Sequence, residues 1–357
     1  MEPASSRHVV IIGAGPAGLA AAFCLAQRKI SYTLLERGVS AVAALRQADP
    51  DMALLSPSRL SRLPAMPSSA KEPVYLSFRD FVNKLERYCE QHAIQIMANS
   101  EVINVSRNNL QGFVVHYRDQ RGATQTVNGS HVINATGIVS APQFPKNFNP
   151  GACAFRWKHS LDVRAADLMS ARRLVVVGGG SSAAEVLDRW LEVRPPEARA
   201  WLLLRSPLLA IVNPILGLVD VHYLVWLIEH LPTLLLGWRV GRLPEPMNGR
   251  LVLPAIKQGL ISRLKAEASY EGNAIIISES QRLEPDFVVF ATGFRYTTAH
   301  LGDLIEHDPD GRPRVCCCES TRTPGLYLLG FRFGRTFASP YIRGIARDAP
   351  YVARKIA

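Results

Sequence analysis

Arg7-His8-Val9-Val10-Ile11-Ile12-Gly13-Ala14-Gly15-Pro16-Ala17-Gly18 decides the fold. Arg7 to Ile12 is short and ends in a β-branched run, and it reads as a fully buried strand of a parallel sheet. The glycine turn follows at once, and Leu19 to Arg28, rich in Ala and Leu, reads as a helix. Gly13 permits the tight turn, Gly15 lets a pyrophosphate approach the backbone, and Gly18 lets helix and strand pack closely. Pro16 and Ala17 lie in the same turn, where the helix N-terminus offers free N–H groups and the positive end of its dipole. A second strand, Ser31 to Leu35, ends at Glu36, followed by Arg37; Glu36 lies 18 residues past Gly18. A carboxylate at that place takes the two hydroxyls of a ribose.

The pattern recurs. Arg173 to Val177 reads as a buried strand, Gly178-Gly179-Gly180-Ser181-Ser182-Ala183 as the turn, and Ala184 to Leu191 as the helix. The next strand, Ala200 to Leu204, ends at Arg205-Ser206 in place of an acid. A guanidinium pairs bidentately with a 2′-phosphate, which a carboxylate would repel. The first site therefore suits FAD or NAD, and the second NADP(H), held by Gly178, Gly180, Ser181, Ser182, Arg205 and Ser206. Two further strands, His131 to Asn134 and Phe287 to Phe290, run into Ala135-Thr136-Gly137 and Ala291-Thr292-Gly293. Such small-residue turns permit close backbone approach, between domains or to a cofactor. Two dinucleotide sites in one chain imply electron transfer between a tightly held flavin and an exchangeable nicotinamide.

The 357 residues suggest about two domains. With 48% hydrophobic and 20% charged residues, the chain is neither disordered, nor collagen-like, nor a small disulfide scaffold. The formal charge of +11 favours anionic partners. The basic residues are scattered, so no nucleic-acid partner is expected, and NADPH is the better anionic target for Arg205. No pair of the six cysteines has CxxC or zinc spacing, so no metal is expected. Cys316-Cys317-Cys318 reads as reduced buried thiols, with a redox-sensing thiol as the alternative. The short polar N-terminus does not read as a signal peptide, and the expected compartment is cytoplasmic. Residues 208–240 form an unusually apolar stretch, interrupted by Pro214 and Pro232 and carrying Asp220, His222, Glu229 and His230. Three readings stand: helices over the active site or on a homo-oligomer face, a peripheral membrane or lipophilic-substrate surface, and a membrane span.

Taken together, GAGPAG at 13, LLER at 34, NATG at 134, GGGSSAAE at 178, LLLRS at 202, FATGFR at 290 and GLYLLGF at 325 resemble the flavin-containing monooxygenase superfamily. The layout is most similar to its bacterial and plant YUCCA-like branch. The resemblance implies an α/β fold of two Rossmann-like dinucleotide-binding domains, the NADP(H) domain inserted into the FAD domain. Residues 1–150 plus 296–357 would form the FAD domain. Residues 151–295 would form the NADP(H) domain, with 208–240 as an apolar insertion. On the FAD side it implies Gly13, Gly15, Pro16, Ala17, Gly18, Glu36, Arg37, Val102 after a strand Gln95 to Met97, Thr136, Gly137, and Gly330 after a strand Leu326 to Leu329. A helix from about Pro340 to Ile356 would close that domain. Thr292 and Gly293 fall at the NADPH site or the domain junction.

Two departures from the family stand out. Phe155 occupies a glycine place ahead of His159-Ser160, and Val42-Ala43-Ala44-Leu45-Arg46 replaces a Gly-Trp pair that normally covers the flavin. The implied activity is an NADPH-dependent FAD monooxygenase that oxygenates a small, apolar or soft-nucleophile substrate with dioxygen through a peroxyflavin. An FAD/NADPH reductase, dehydrogenase or oxidase without oxygen insertion is the second reading, and a non-catalytic NADP(H)- or redox-sensing binding protein the third. The absence of CxxC argues against the thioredoxin-reductase branch. The candidates beside the flavin are Ser56, Ser58 and Arg59, in a loop that also reads as a simple Pro-containing turn.

Overall fold

The architecture below is that of a computed structural model, which describes residues 7–54, 56–69, 71–109, 112–139, 141–205, 208, 220, 222–223, 226, 251–265, 268–278 and 280–357. Strand β1 (His8–Ile12) runs through the glycine turn into α1 (Pro16–Ala26), and the chain returns as β2 (Ser31–Leu35), parallel to β1. Pro16 occupies the first turn of α1, where a missing N–H costs nothing and a fixed φ favours the helix. Helix α2 (Phe78–Gln91) starts at Ser77, whose Oγ accepts the Asp80 N–H at 3.0 Å. An antiparallel meander follows: β3 (Glu101–Arg107), β4 (Phe113–Arg118) and β5 (Thr124–Gly129). Strand β6 (His131–Asn134) then pairs parallel with β1 on the side opposite β2.

The chain leaves this sheet through β7 (Ala141–Pro142). A second parallel sheet is built from β8 (Arg156–His159), helix α3 (Ala165–Met169), β9 (Arg173–Val177), helix α4 (Ser181–Val193), β10 (Arg199–Leu204), helix α5 (Val252–Lys257) and β11 (Ile261–Lys265). Three short antiparallel strands, β12 (Ser269–Glu271), β13 (Ala274–Ser278) and β14 (Gln281–Leu283), precede β15 (Phe287–Phe290), which lies between β8 and β9. The return strand β16 (Phe294–Arg295) pairs antiparallel with β7. The hairpin β17 (Val315–Cys316) and β18 (Glu319–Ser320) leads to β19 (Leu326–Leu328), which rejoins the first sheet beside β6; helix α6 (Ile342–Ile356) ends the chain. The strand orders are β17-β18-β19-β6-β1-β2 and β11-β10-β9-β15-β8.

Unbroken apolar strands are explained by what covers each face. Alternate side chains of a strand point to opposite faces. Val9 and Ile11 pack with Leu19 of α1 and Val352 of α6, while Val10 and Ile12 pack with Phe113 and Val115 of the meander. In the second sheet, Leu174 and Val176 meet Leu187 and Trp190 of α4, while Val175 faces Phe148, Tyr270 and Phe290. Neither sheet has a solvated face at its centre, so the centre strands have no polar alternation.

Three expected elements differ in detail. Gln95 to Met97 forms no strand, only a single parallel bridge from Met97 to Leu35, because the chain turns away at Asn99, whose φ is +51°. The last helix starts at Ile342 because Tyr341 is still extended (φ −93°, ψ 158°). The first helix stops at Ala26, two residues short of Arg28.

Each sheet bends around one close contact. Gly13 has φ +98°, and a Cβ there would lie 2.9 Å from the carbonyl oxygen of Ala135. Gly178 has φ +124°, and a Cβ there would lie 2.2 Å from the carbonyl oxygen of Ala291. Both positions combine a left-handed backbone with backbone that cannot move aside. Gly178→Ala is therefore expected to destabilise more than Gly13→Ala, each by roughly 2–4 kcal/mol. Gly122→Ala, with φ +78° and open space around it, should cost about 1 kcal/mol. Urea unfolding of the three variants checks the order; equal costs would show that the close contacts are immaterial.

Candidate cofactor sites

Open parallel sheets bind ligands beyond the carboxyl ends of their strands, where neighbouring strands connect in opposite directions. In the first sheet that point lies between β1 and β6, and a cavity of about 310 Å³ opens there. Gly13, Gly15, Pro16, Ala17, Glu36, Arg37, Val102, Thr136, Gly137 and Gly330 all line it. Gly18 does not; it lies under the turn, where a Cβ would meet the Gly13 carbonyl oxygen at 1.9 Å.

Gly15 shows what the cavity is shaped for. Its backbone is ordinary (φ −76°, ψ −174°), and a Cβ there would touch no protein atom. Nothing internal requires glycine at this place, so the group it makes room for lies outside the protein. Gly180, at the start of α4, repeats both properties (φ −94°, ψ −168°, no atom in reach). The two modules match in hydrogen bonding as well. Gly13 N–H donates to Leu35 O and Ala135 N–H to Ile12 O; Gly178 N–H donates to Leu203 O and Ala291 N–H to Val177 O.

Glu36 sits at the end of β2 with both oxygens engaged. Oε2 accepts the Ala14 N–H at 2.7 Å and Oε1 the Gly38 N–H at 2.8 Å. Each oxygen keeps a lone pair, so the carboxylate is oriented by the backbone and still free to accept ribose hydroxyls. Val42, Ala43, Ala44 and Leu45, the stretch that replaces the Gly-Trp pair, form part of the wall. Val42 N–H donates to Ala14 O at 3.0 Å, and Val42 itself is buried with φ +52°. A β-branched residue in that conformation is strained, which places this wall among the over-determined parts of the fold.

His300 is the wall residue that no motif announced. It is buried, and its Nε2 lies 3.2 Å from Oδ1 of Asn134, itself fully buried at the end of β6. Nδ2 of Asn134 has no hydrogen-bond partner among the described residues. Burial pushes the His300 imidazole down to about 4, so at neutral pH it is uncharged, one ring nitrogen donating and the other accepting. A single His in Thr297-Thr298-Ala299-His300 has no periodic or spacing signal; only the folding of the return segment onto β6 brings it to the cavity.

Ser56, Ser58 and Arg59, the candidates expected beside the flavin, do not line this cavity. The Pro57 turn tucks Ser58 inside, with its N–H on Val74 O, while Arg59 points to solvent. Ser56 is one residue removed: its Oγ accepts from Arg343, in the first turn of α6, at 3.1 Å.

In the second sheet, Gly178, Gly180, Ser181 and Ser182 form the turn into α4 at the carboxyl end of β9. Arg205 follows β10, is exposed, and makes no ion pair among the described residues. The β10–β11 register sets Lys265 opposite Leu204, so a second exposed cation stands at the same sheet edge. Ser206 lies outside the described residues. Thr292 and Gly293 belong to the junction. Thr292 Oγ1 donates to Gln143 O on the outgoing linker, and Gly293 O accepts from Gln143 N–H at 3.0 Å and from His159 Nε2 at 3.1 Å. Thr136 makes the reciprocal tie, donating to Thr297 O on the returning linker at 3.2 Å. His159 packs edge-on against Phe144 and Phe294, one from each linker.

Most of 208–240, including Pro214, Glu229, His230 and Pro232, lies outside the described residues. Leu208 packs on the core beneath α4. Asp220 accepts from His222 Nδ1 at 2.8 Å and from the Tyr75 hydroxyl, so His222 is engaged in packing. Among the described residues no helix is long and apolar enough to cross a membrane.

The burial of His300 has a pH signature. Unfolded, it titrates near 6.5, and folded near 4, so the unfolded state binds the extra proton between those values. Its contribution to stability is complete above about pH 6.5 and is lost as the pH falls toward 4, on the order of 3 kcal/mol in total. His131 and His159 are also pushed down by burial and add to the same slope. His300→Asn is expected to flatten the wild-type fall in unfolding midpoint over that window; an unchanged slope would show that His300 is solvated.

Comparison with known proteins agrees with this geometry. A family profile described as pyridine nucleotide-disulphide oxidoreductase matches residues 10–193. The chain is 24% identical to the Bacillus subtilis oxidoreductase CzcO over 353 residues, covering 97% of this chain and 98% of that one. It is 26% identical to the rice indole-3-pyruvate monooxygenase YUCCA4 over 384 residues, covering 95% and 86%. Among solved structures, the flavin-containing monooxygenase of Stenotrophomonas maltophilia superposes with a TM-score of 0.78 at 23% identity, covering 98% of each chain. By its matched profile, its paired nucleotide turns and its fold, this chain belongs to the pyridine nucleotide-disulphide oxidoreductase family, within the flavin-containing monooxygenase superfamily of oxidoreductases.

Proposed function

We propose that this chain is an NADPH-dependent FAD monooxygenase acting on a small apolar or soft-nucleophile substrate. The observation that carries the reading is the pairing of two dinucleotide turns with opposite chemistry at their second strands, Glu36 in one and Arg205 in the other. The names of relatives such as YUCCA4 and the S. maltophilia enzyme support oxygenation. FAD belongs in the 310 Å³ cavity, its phosphates over Gly13 to Ala17 and a ribose on Glu36. NADPH belongs on the α4 turn, its 2′-phosphate on Arg205.

Bound FAD supplies hydride acceptance and oxygen activation; the chain supplies orientation and exclusion of water. Gly15 and Gly180 admit the two pyrophosphates to helix N-termini. Uncharged His300, held by Asn134, offers a hydrogen bond without adding charge to the pocket. The paired linkers β7 and β16 hold the two sites at a set separation, and with them the domain division 1–150 plus 296–357 against 151–295. The Val42–Leu45 wall favours one second reading, an FAD/NADPH oxidoreductase that releases peroxide without inserting oxygen, because the family's Gly-Trp cover is replaced there.

The purified protein is expected to be yellow and to oxidise NADPH in the presence of substrate. Label from ¹⁸O₂ should appear in the product of a turned-over ketone, amine or sulfide. Stoichiometric peroxide with no label in any product would support the second reading instead. Arg205→Ala should raise KM for NADPH by roughly ten- to a hundredfold, the loss of one charge-assisted phosphate pair, and KM for NADH by less than about twofold. Equal effects on both coenzymes would remove Arg205 from the 2′-phosphate.

A further inference from the structure

The Cys316-Cys317-Cys318 run plays no part in the cofactor sites, and its three thiols have different fates. The hairpin β17–β18 pairs Val315 with Ser320 and Cys316 with Glu319, which leaves a two-residue loop of Cys317 and Cys318. Both loop residues are left-handed, with φ +53° and +69°. Hairpin loops of this kind take Asn-Gly or Asp-Gly because both central residues need positive φ, and cysteine has neither the missing Cβ nor the local hydrogen bonds that ease it. A Cys-Cys loop is therefore held against its conformational preference.

Packing explains one of the three. Cys318 is fully buried; its N–H donates to Gly334 O at 2.9 Å and its C=O accepts the Leu328 N–H at 2.7 Å. Its Sγ occupies the space a side chain on Gly334 would need, 3.0 Å from that Cβ position. Cys316 and Cys317 are both exposed and reduced. Cys316 closes the hairpin opposite Glu319 and Cys317 is the first residue of its loop, so two exposed thiols stand on consecutive residues. Neighbouring Cα atoms sit about 3.8 Å apart across a trans peptide, inside the roughly 4.4 Å lower limit of ordinary disulfides. Direct oxidation of the pair to one bridge is thus disfavoured, and both sulfurs stay available. Among the described residues no three His, Cys, Asp or Glu side chains are grouped to hold a metal ion, so a tetrahedral zinc-type site does not form around the pair.

We propose that Cys316 and Cys317 together form a binding site for a trivalent arsenical, a soft thiophilic centre that two adjacent sulfurs can grip. One large bridging atom spans the pair without the short sulfur–sulfur bond that a disulfide demands. The step is an exchange without redox change. Each thiol loses its proton, two arsenic–sulfur bonds replace the bonds to the oxide oxygen, and that oxygen leaves as water with the two protons. The third position on arsenic keeps its organic substituent. The site is independent of the cofactor reading, since neither cysteine lines the cavity.

The probe is phenylarsine oxide, added to the reduced full-length protein and read by native mass spectrometry and by counting free thiols. One equivalent is expected to bind, to remove two thiols, and to be released by excess 2,3-dimercaptopropanol but not by a monothiol. Cys316→Ser and Cys317→Ser, both at exposed positions, should each weaken binding at least a hundredfold, with unchanged circular dichroism confirming that each variant is folded. Cys153→Ser, at a half-exposed cysteine in another part of the chain, should bind as wild type does. No binding to wild-type protein, or binding retained in either the Cys316 or the Cys317 variant, would overturn the assignment.

Discussion

Everything in this molecule is arranged around a glycine Cα laid against an alanine carbonyl, once in each sheet. Gly13 on Ala135 and Gly178 on Ala291 let two strands, a turn and a helix N-terminus converge within a few ångströms. The carbonyl in each case belongs to the first residue of an Ala-Thr-Gly turn, at the ends of β6 and β15. With a side chain in place of either glycine, the turn would lift off the sheet. The helix N-terminus would no longer point at the crevice.

From this contact the threonine of each Ala-Thr-Gly reaches across to the other module's linker. Thr136 holds Thr297 on the way back, and Thr292 holds Gln143 on the way out. Together with the β7–β16 pairing and His159 on Gly293, these ties brace the two crossings of the chain against each other. A hydride donor and acceptor held on separate sheets need a junction of this kind, because a small error in their relative placement costs rate steeply. The Phe155 departure also finds a place here: it is buried in the aromatic cluster with Phe148, Trp157 and Tyr270 that supports β8 and β15.

The cavity combines an oriented carboxylate with uncharged polar groups. Glu36 is fixed by two backbone N–H donors, whereas Asn134 and His300 are buried where a charge would be costly. Burial keeps the imidazole neutral, so the pair can donate and accept without a counter-ion.

Much of the fold was legible because its determinants are local. A β-branched run, a glycine turn and an Ala-rich helix name a nucleotide module wherever they occur in that order, and Glu36 and Arg205 follow their strands by position alone. Ten of the eleven residues read for the first site line one cavity; the eleventh, Gly18, supports the turn from below. The placement of the loop candidates was not legible, for the complementary reason. Ser56, Ser58 and Arg59 sit in a turn whose side-chain directions depend on Val74 and Arg343, and neither contact has a local signal. His300, 166 residues from Asn134, is of the same kind. The sequence by itself determined the two modules and the sign of charge each presents, since backbone conformation and strand order are set by near neighbours. Only the tertiary structure decided which distant side chains enclose the cavity and which of three adjacent cysteines is buried, since those outcomes depend on packing between segments far apart in the chain.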